Sequence, residues 1–367
     1  MSTISLLTIK GFKSILSLEN FALNDLNILI GSNGSGKSNF ISYFRMLHEL
    51  VEQRLQTWTK KQGGADRLLS FGIKTTKQLE TSIRFANNGY DLILEPTVEG
   101  GFVFVNEMLY FDGPYYGRTQ PRLGGGQSES NIKQEILSGG SKKIAAYCYD
   151  AIYAWKVYHF HDTTDSAYVK RQGSLQDNDY LRPDASNLAA FLYRISQEKP
   201  DTYQQIRNVI QLAIPFFDDF LLKPQQLPTG EKQIWLLWKQ HDNDYPFWPS
   251  QLSDGSIRFI CLATALLQPN PPSTIIIDEP ELGLHPYAIA LLASLLRSAS
   301  KRMQVIVSTQ SVPLVNEFSI NDLIVVDREN DVSTFKRYDP KDLEDWLTEY
   351  SIGELWEKNI LGGRPNR

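Results

Sequence analysis

The spacing of hydrophobic residues changes along the chain, and each change predicts a different kind of element. Residues 5–9 and 16–21 form short strand-like runs, and residues 26–30 have the pattern of a buried strand that ends in glycines. A helix is predicted from residue 37 to about residue 56. Residues 57–130 mix strand-like pieces with Gly-rich and Pro-rich turns, which predicts β-hairpins and one mobile loop.

The second half of the chain has two further patterns. Helical spacing between residues 187 and 220 predicts a small helical lobe. After residue 252 helices and strands alternate, which is typical of a parallel sheet flanked by helices. The predicted order is helix 256–268, strand 274–277, helix 286–299, strand 304–307, a short helix and strand 323–326. We therefore predict an α/β fold in three parts, residues 1–180, 181–250 (the helical lobe) and 251–367.

Composition and charge narrow the function classes. The 367 residues are 42% hydrophobic and carry a net charge of −5, so the chain as a whole does not attract nucleic acid or an anionic membrane. Any DNA-binding site must be a local patch. Lys142, Lys143, Lys170 and Arg171 are candidates for that patch, and the alternative is that they are ordinary solvated charges.

The cysteines and the apolar segments indicate the compartment. Cys148 and Cys261 lie far apart without CxxC spacing, which argues against a disulfide framework or a zinc cluster and favours a reducing cytoplasm. The most apolar segment, residues 287–296, is too short to cross a bilayer. We expect a cytoplasmic protein that has no membrane partner.

Residues 31–38, Gly-Ser-Asn-Gly-Ser-Gly-Lys-Ser, match the phosphate-binding pattern G-x-x-x-x-G-K-[ST] in full. The predicted strand before them and helix after them favour a P-loop over a chance Gly/Ser turn. Lys37 would bridge the β- and γ-phosphates of ATP, and Ser38 would place its hydroxyl on Mg²⁺. The predicted nucleotide-binding residues here are Gly31, Asn33, Gly34, Ser35, Gly36, Lys37, Ser38 and Asn39.

Two carboxylates follow the predicted strand at residues 274–277. Open α/β sheets bind ligands at the carboxyl ends of their strands, so Asp278 is predicted to hold Mg²⁺ and Glu279 to orient and polarise the attacking water. The alternative is a solvated acidic strand end, which the P-loop elsewhere in the chain disfavours. Glu281 is either a further ligand or a surface charge.

A third motif, Leu-Ser-Asp-Gly-Ser at residues 252–256, stands just before a predicted helix. With the other two motifs in place, the chain resembles the ATP-binding-cassette (ABC) class of ATPases, in particular the DNA-associated branch with RecF, SMC and OLD-type heads. Residues 31–38 resemble Walker A, residues 275–279 Walker B, and residues 252–256 the signature motif. The segments at residues 158–162, 181–184 and 187–190 further resemble a bacterial subfamily of stand-alone predicted ATPases.

This resemblance implies a P-loop NTPase fold of ABC-head type, with a mixed sheet, flanking helices and the small helical lobe. It also implies a homodimer formed on ATP binding, in which Ser253 and Gly255 of one head cap the nucleotide of the other. A helix N-terminus favours an anion, and the alternative is an N-cap by Ser253 or Asp254 without any ligand. Residues 283–286 resemble the D-loop, so His285 either contacts the partner head or lies near a helix N-terminus.

Gln310 departs from the family pattern, because many relatives have a histidine here that contacts the γ-phosphate. Glutamine donates a hydrogen bond but cannot accept and return a proton as imidazole can. We therefore expect slow hydrolysis or a mainly nucleotide-gated switch. The predicted catalytic residues are Glu279 and Gln310.

Residues 158–162 contain His159, His161 and one acid, Asp162. Alternation on a strand would place the two histidines on one face. Because this set has few ligands, a structural or interface role is favoured over a metal site.

The sequence thus predicts a RecF/SMC-like ATPase that closes on ATP and acts in DNA transactions, either repair or anti-phage defence. Its predicted partners are a second copy, DNA, and a separately encoded nuclease or toxin effector. The alternative is a nucleotide-gated regulatory or scaffold protein with little or no hydrolysis.

Overall fold

The computed structural model describes residues 3–114, 117–243 and 245–363. The strands are β1 Leu6–Phe12, β2 Ile15–Ala22, β3 Leu26–Ile30, β4 Leu79–Phe85, β5 Asn88–Pro96, β6 Phe102–Gly113, β7 Gly117–Thr119, β8 Arg122–Gly124, β9 Lys156–Tyr158, β10 Gly173–Ser174, β11 Phe217–Leu221, β12 Gln225–Gln226, β13 Lys232–Ile234, β14 Leu237–Gln240, β15 Thr274–Asp278, β16 Gln304–Thr309, β17 Leu323–Glu329 and β18 Val332–Lys336. The helices are α1 Lys37–Val51, α2 Leu55–Lys61, α3 Ala65–Leu68, α4 Gly72–Thr75, α5 Ile132–Ser138, α6 Lys142–Tyr153, α7 Leu188–Glu198, α8 Pro200–Ala213, α9 Asp254–Leu267, α10 Pro286–Ser300, α11 Val312–Val315, α12 Glu344–Glu349 and α13 Ile352–Glu357.

A mixed six-stranded sheet forms the centre of the molecule, with strand order β18-β17-β3-β16-β15-β9. All neighbours pair in parallel except β17 and β18, which are antiparallel. The predicted parallel sheet is therefore confirmed, with one antiparallel strand at its edge. A second sheet, β2-β1-β4-β5-β6-β7 with β8 on β6, is antiparallel and contains the predicted hairpins.

Two hydrophobic cores cover the two faces of the central sheet. Because side chains alternate along a strand, Ile275 and Ile277 of β15 point into one core and Ile276 into the other. The first core, which we call the helical core, also contains residues of α7, α8, α9 and α10. The second, the β-rich core, contains residues of α1, α6 and the antiparallel sheet.

Several element boundaries differ from the sequence prediction. The helix predicted to reach about residue 56 ends at Val51, because Gln53 has a φ of 59° that a helix cannot contain, and α2 begins at Leu55. The short helices α3 and α4 interrupt the predicted hairpin region. Between residues 217 and 240 the structure has four short strands in addition to the predicted helices α7 and α8.

Candidate ATP site

The P-loop, the acidic pair and Gln310 meet at one edge of the central sheet. The P-loop follows β3, Gln310 follows β16 and Asp278 ends β15, and these three strands are neighbours in the order given. The register places Thr309 beside Ile30 and Asp278 beside Ser308. The P-loop, the acidic pair and Gln310 therefore lie together at the carboxyl ends of parallel strands, where α/β sheets bind ligands.

The P-loop backbone needs its glycines. Gly34 and Gly36 have φ values of 78° and 117°, which residues with a Cβ rarely adopt. A Cβ on Gly36 would also collide with Ser333 Oγ. Ser333, on β18, donates a hydrogen bond of 2.6 Å to the main-chain oxygen of Ser35 and supports the loop from behind. Sequence reasoning missed Ser333, and no motif near it indicates this role.

Lys37 occupies the centre of the P-loop. Its Nζ donates to the main-chain oxygens of Gly31 at 2.7 Å and Ser32 at 3.0 Å. Burial lowers the pKa of Lys37, while Glu279, Asp278 and Glu281 oppose that shift. Among the described residues its hydrogen-bond acceptors are these two loop carbonyls, so the ammonium has a further donor for an anionic phosphate.

Other P-loop side chains differ in their availability. Ser35 Oγ is buried and has no hydrogen-bond partner among the described residues, while Asn33 and Ser38 are exposed. The unpartnered hydroxyl and the glycine cradle both fit a phosphate ligand. Asn39 Nδ2, by contrast, donates a 2.7 Å hydrogen bond to Ser14 Oγ, so this predicted nucleotide ligand is engaged within the protein.

The acidic pair is held by the neighbouring strand β16. Ser308 Oγ donates to the Asp278 carboxylate, and Gln310 Nε2 donates to Glu279 Oε1. Glu279 has a φ of 44°, a left-handed conformation that is uncommon for non-glycine residues and that occurs at turns and at functional sites. The two predicted catalytic residues, Glu279 and Gln310, are therefore joined by a direct hydrogen bond.

Glu281 is buried, so it is not a surface charge as one sequence interpretation had it. Its Oε1 accepts hydrogen bonds from Thr309 Oγ1 at 2.5 Å and from the Gln310 main-chain N–H at 3.3 Å, while Oε2 has no partner among the described residues. Glu281 thus positions the turn that presents Gln310. Its burial raises the pKa of Glu281 above the ordinary value of 4.5.

This raised pKa predicts how stability responds to pH. The folded state holds the Glu281 proton more tightly than the unfolded state, so the free energy of unfolding falls as pH rises above about 4.5. Glu281→Gln removes this contribution. Urea unfolding measures the free energy of unfolding of the wild type and of the variant. We expect the difference, wild type minus variant, to be smaller at about pH 8 than at about pH 5. Equal differences at the two pH values would contradict this expectation, and Glu99→Gln, on an exposed turn, is the control.

The signature residues begin helix α9. Ser253 Oγ accepts a 3.1 Å hydrogen bond from the Ser256 main-chain N–H, so within one chain Ser253 is the N-cap. Ser253 and Asp254 are exposed. Gly255 packs so closely on the main-chain oxygen of Gly283 that a Cβ at residue 255 would collide with it. The signature and the D-loop therefore form one continuous surface.

Two further sequence candidates have defined partners. His285 accepts a 3.3 Å hydrogen bond from the Tyr287 main-chain N–H and caps α10, as the N-terminus interpretation expects. Lys170 is buried, with its Nζ 3.5 Å from Asp254 and 3.7 Å from Asp165, so it is not part of an exposed basic patch. Lys142, Lys143 and Arg171 are exposed.

The histidine pair lies beside the acidic pair. His159 and His161 have ring centroids 4.2 Å apart, and His161 Nε2 lies 3.1 Å from the main-chain oxygen of Asp278. Burial, and then the nearby His161 and Arg45, lower the pKa of His159. The acid in this cluster is Asp278 rather than the predicted Asp162.

Asp162 is instead engaged in hydrogen bonds within its own turn. Its Oδ1 accepts hydrogen bonds from the Thr164 main-chain N–H at 3.2 Å and from Thr164 Oγ1 at 2.7 Å.

Comparison with known proteins finds counterparts of the fold. Residues 152–316 match a family model described as "AAA domain, putative AbiEii toxin, Type IV TA system". Among solved structures, an SmcHead bound to the C-winged helix domain of ScpA matches with a TM-score of 0.61 at 15% identity, covering 93% of this chain and 99% of that one. An Smc head with an extended coiled coil, bound to the C-terminal domain of ScpA derived from Pyrococcus furiosus, matches with a TM-score of 0.55 at 16% identity, covering 95% and 99%. No curated protein matches the sequence.

The chain has the fold of an SMC head, which is a P-loop NTPase fold, and part of it matches the AAA-domain family model. The predicted fold class, a P-loop NTPase fold with a mixed sheet and flanking helices, is therefore confirmed. Among the described residues, no helix combines the length and the apolar character that a membrane span requires.

Proposed function

We propose that the chain binds ATP with Mg²⁺ and hydrolyses it. ATP binding joins two copies of the chain into a dimer, and this dimer acts on DNA or controls a partner effector. The observation that carries this proposal is the convergence of Lys37, Asp278, Glu279 and Gln310 at one sheet edge. These are the groups that phosphoryl transfer to water requires: a phosphate cradle, a metal ligand and a base.

Each residue has a distinct role in this proposal. The P-loop N–H groups and Lys37 bind the phosphates, and Ser38 and Asp278 hold Mg²⁺, which neutralises phosphate charge when bound. Glu279 accepts the proton of the attacking water. Gln310 fixes the Glu279 carboxylate through the hydrogen bond already present. Asn39 contributes through the position of its backbone, because its side chain bonds to Ser14.

The surface around the signature supports dimerisation. Leu282 and Tyr287, on either side of Gly283, are 40% and 55% exposed, and Trp248, shortly before the signature, is 45% exposed. The turn at Gly283 packs on Gly255 of the signature, so the exposed Leu282 and Tyr287 beside this turn suit a protein contact site. Ser253 stands in the same surface with its helix N-terminus exposed, which favours an anion supplied by a second copy.

Light scattering on Glu279→Gln tests the dimer. This variant should bind ATP and hydrolyse it much more slowly than the wild type, so we expect a monomer without nucleotide and a dimer with ATP and Mg²⁺. Adding Ser253→Arg should abolish the dimer, whereas Ser138→Arg, on an exposed position of α5, should leave it intact. If Glu279→Gln stays a monomer with ATP shown to be bound, the paired-head proposal is wrong.

The partner of the dimer, either DNA or an effector protein, requires a separate experiment. The two SMC-head structures that resemble this chain are bound to ScpA domains, which supports a separately encoded partner for this chain as well. For DNA, we expect ATP-dependent duplex binding that weakens as salt is raised. Failure of the ATP-bound protein to retain duplex DNA at low salt would exclude the DNA version and favour control of a nuclease or toxin.

The second candidate function is a nucleotide-gated scaffold with little or no hydrolysis. The observation that favours it is the amide of Gln310 at the position that bonds Glu279, because an amide cannot relay a proton. Both candidates bind ATP, so turnover distinguishes them.

A further inference from the structure

Two imidazoles and one carboxylate converge beside the ATP site. The ligand atoms of His159, His161 and Asp278 all lie within 4.8 Å of one another. Parallel pairing explains this placement, because β9 runs beside β15 with Tyr158 opposite Ile277. The residues that follow Tyr158 must therefore emerge next to Asp278.

The segment that carries the two histidines is fixed in place. Phe160, between them, is buried in the helical core. Arg258 of α9 donates from Nε to the main-chain oxygen of Phe160 at 2.9 Å and from Nη2 to that of His161 at 3.4 Å. Ligands held by a surrounding shell of contacts are preorganised, which lowers the cost of binding a cation.

The chemistry of this ligand set favours a transition metal. Mg²⁺ prefers oxygen ligands, whereas two imidazoles with one carboxylate suit first-row transition-metal dications. Zinc–nitrogen and zinc–oxygen bonds are roughly 2.0–2.2 Å long, so neighbouring donor atoms of a tetrahedral zinc site are about 3.4 Å apart. Small side-chain movements would close the observed spacing to that value.

The site is accessible from one side. His159 lines a cavity of about 580 Å³. The same cavity is lined by the cations Arg45 and Lys156, and by the carboxylates Asp162, Asp184 and Glu49. Arg45 and Lys156 disfavour a bound cation by repulsion, and the three carboxylates oppose that effect. A cation can therefore reach His159 without displacing the hydrophobic core.

We propose that His159, His161 and Asp278 form a binding site for a first-row transition-metal dication such as Zn²⁺ or Co²⁺. Binding at this site does not depend on nucleotide. Its regulatory consequence rests on the proposed function, because Asp278 is also the residue proposed for Mg²⁺. An ion at the histidine site would engage the Asp278 carboxylate and so compete with Mg²⁺ for the ATP site.

Metal binding is measured directly on the full, nucleotide-free chain. We expect one Zn²⁺ per chain by isothermal titration calorimetry, and Co²⁺ should give a visible absorption band whose position reports nitrogen ligation. His159→Ala and His161→Ala should each weaken binding at least about tenfold. His241→Ala, on an exposed histidine outside the cluster, is the matched control and should leave it unchanged.

Two further variants separate this proposal from the ATPase proposal. Lys37→Ala should weaken ATP binding and keep the metal site, while His159→Ala should keep ATP binding and weaken metal binding. Circular dichroism melting verifies that each variant is folded. Absence of stoichiometric Zn²⁺ or Co²⁺ binding, or equal affinity in the wild type and both histidine variants, would overturn the proposal, whatever the ATPase assays give.

Discussion

Glu279→Gln is expected to lower the rate of ATP hydrolysis by about 10²- to 10⁴-fold, the usual contribution of a general base. The variant keeps the shape of the side chain but removes the group that accepts the proton. It also replaces the carboxylate that Gln310 Nε2 contacts with a neutral amide. ATP affinity should change little, since Lys37 and the P-loop that bind phosphate are untouched. Steady-state phosphate release with saturating Mg·ATP measures the effect.

The control for this experiment is Glu198→Gln, at the exposed end of α7, which should retain the wild-type rate. Equal, background-level rates in the wild type and Glu279→Gln would contradict the expectation. That result would favour the nucleotide-gated scaffold over the ATPase.

Lys37→Ala is expected to weaken ATP binding by about 10²-fold. Lys37 Nζ is poised inside the loop, and a hydrogen bond to a charged group contributes about 1.5–3 kcal/mol, or roughly tenfold to a hundredfold in affinity. Loss of a buried positive charge next to Asp278 and Glu279 adds to this effect, because two anionic groups would then face the phosphates alone. Titration with a fluorescent ATP analogue measures the affinity.

Lys301→Ala, at the exposed C-terminal end of α10, is the matched control for charge and should bind ATP as the wild type does. An affinity of Lys37→Ala within about threefold of the wild type would mean that the P-loop lysine does not bind phosphate in this protein.

The sequence alone predicts the parts of the site that are contiguous. The P-loop pattern and the strand ending in Asp278 and Glu279 contain their chemistry within a few residues, and parallel strands bring such segments to one edge. The fold class follows from the alternation of helices and strands after residue 252.

Contacts between distant segments could not be predicted in the same way. Ser333 supports the P-loop from a strand far along the chain, and Gly255 fits against Gly283 only because α9 and the D-loop cross. For the histidine pair the sequence offered the nearest acid, Asp162, but strand pairing supplied Asp278. In each case the partner is determined by the tertiary fold, which hydrophobic periodicity does not encode.

The position of β3 has a consequence for synthesis of the chain. This strand is completely buried, yet both strands that pair with it, β16 and β17, begin only at Gln304 and Leu323. During translation the antiparallel sheet can close first, because its strands are near one another in sequence. Strand β3, which precedes the P-loop, stays unpaired until β16 and β17 are synthesised. Until then its apolar side chains and its backbone are exposed and prone to misfolding or aggregation. A ribosome-bound fragment that stops before β16 should therefore need chaperone protection and bind no nucleotide.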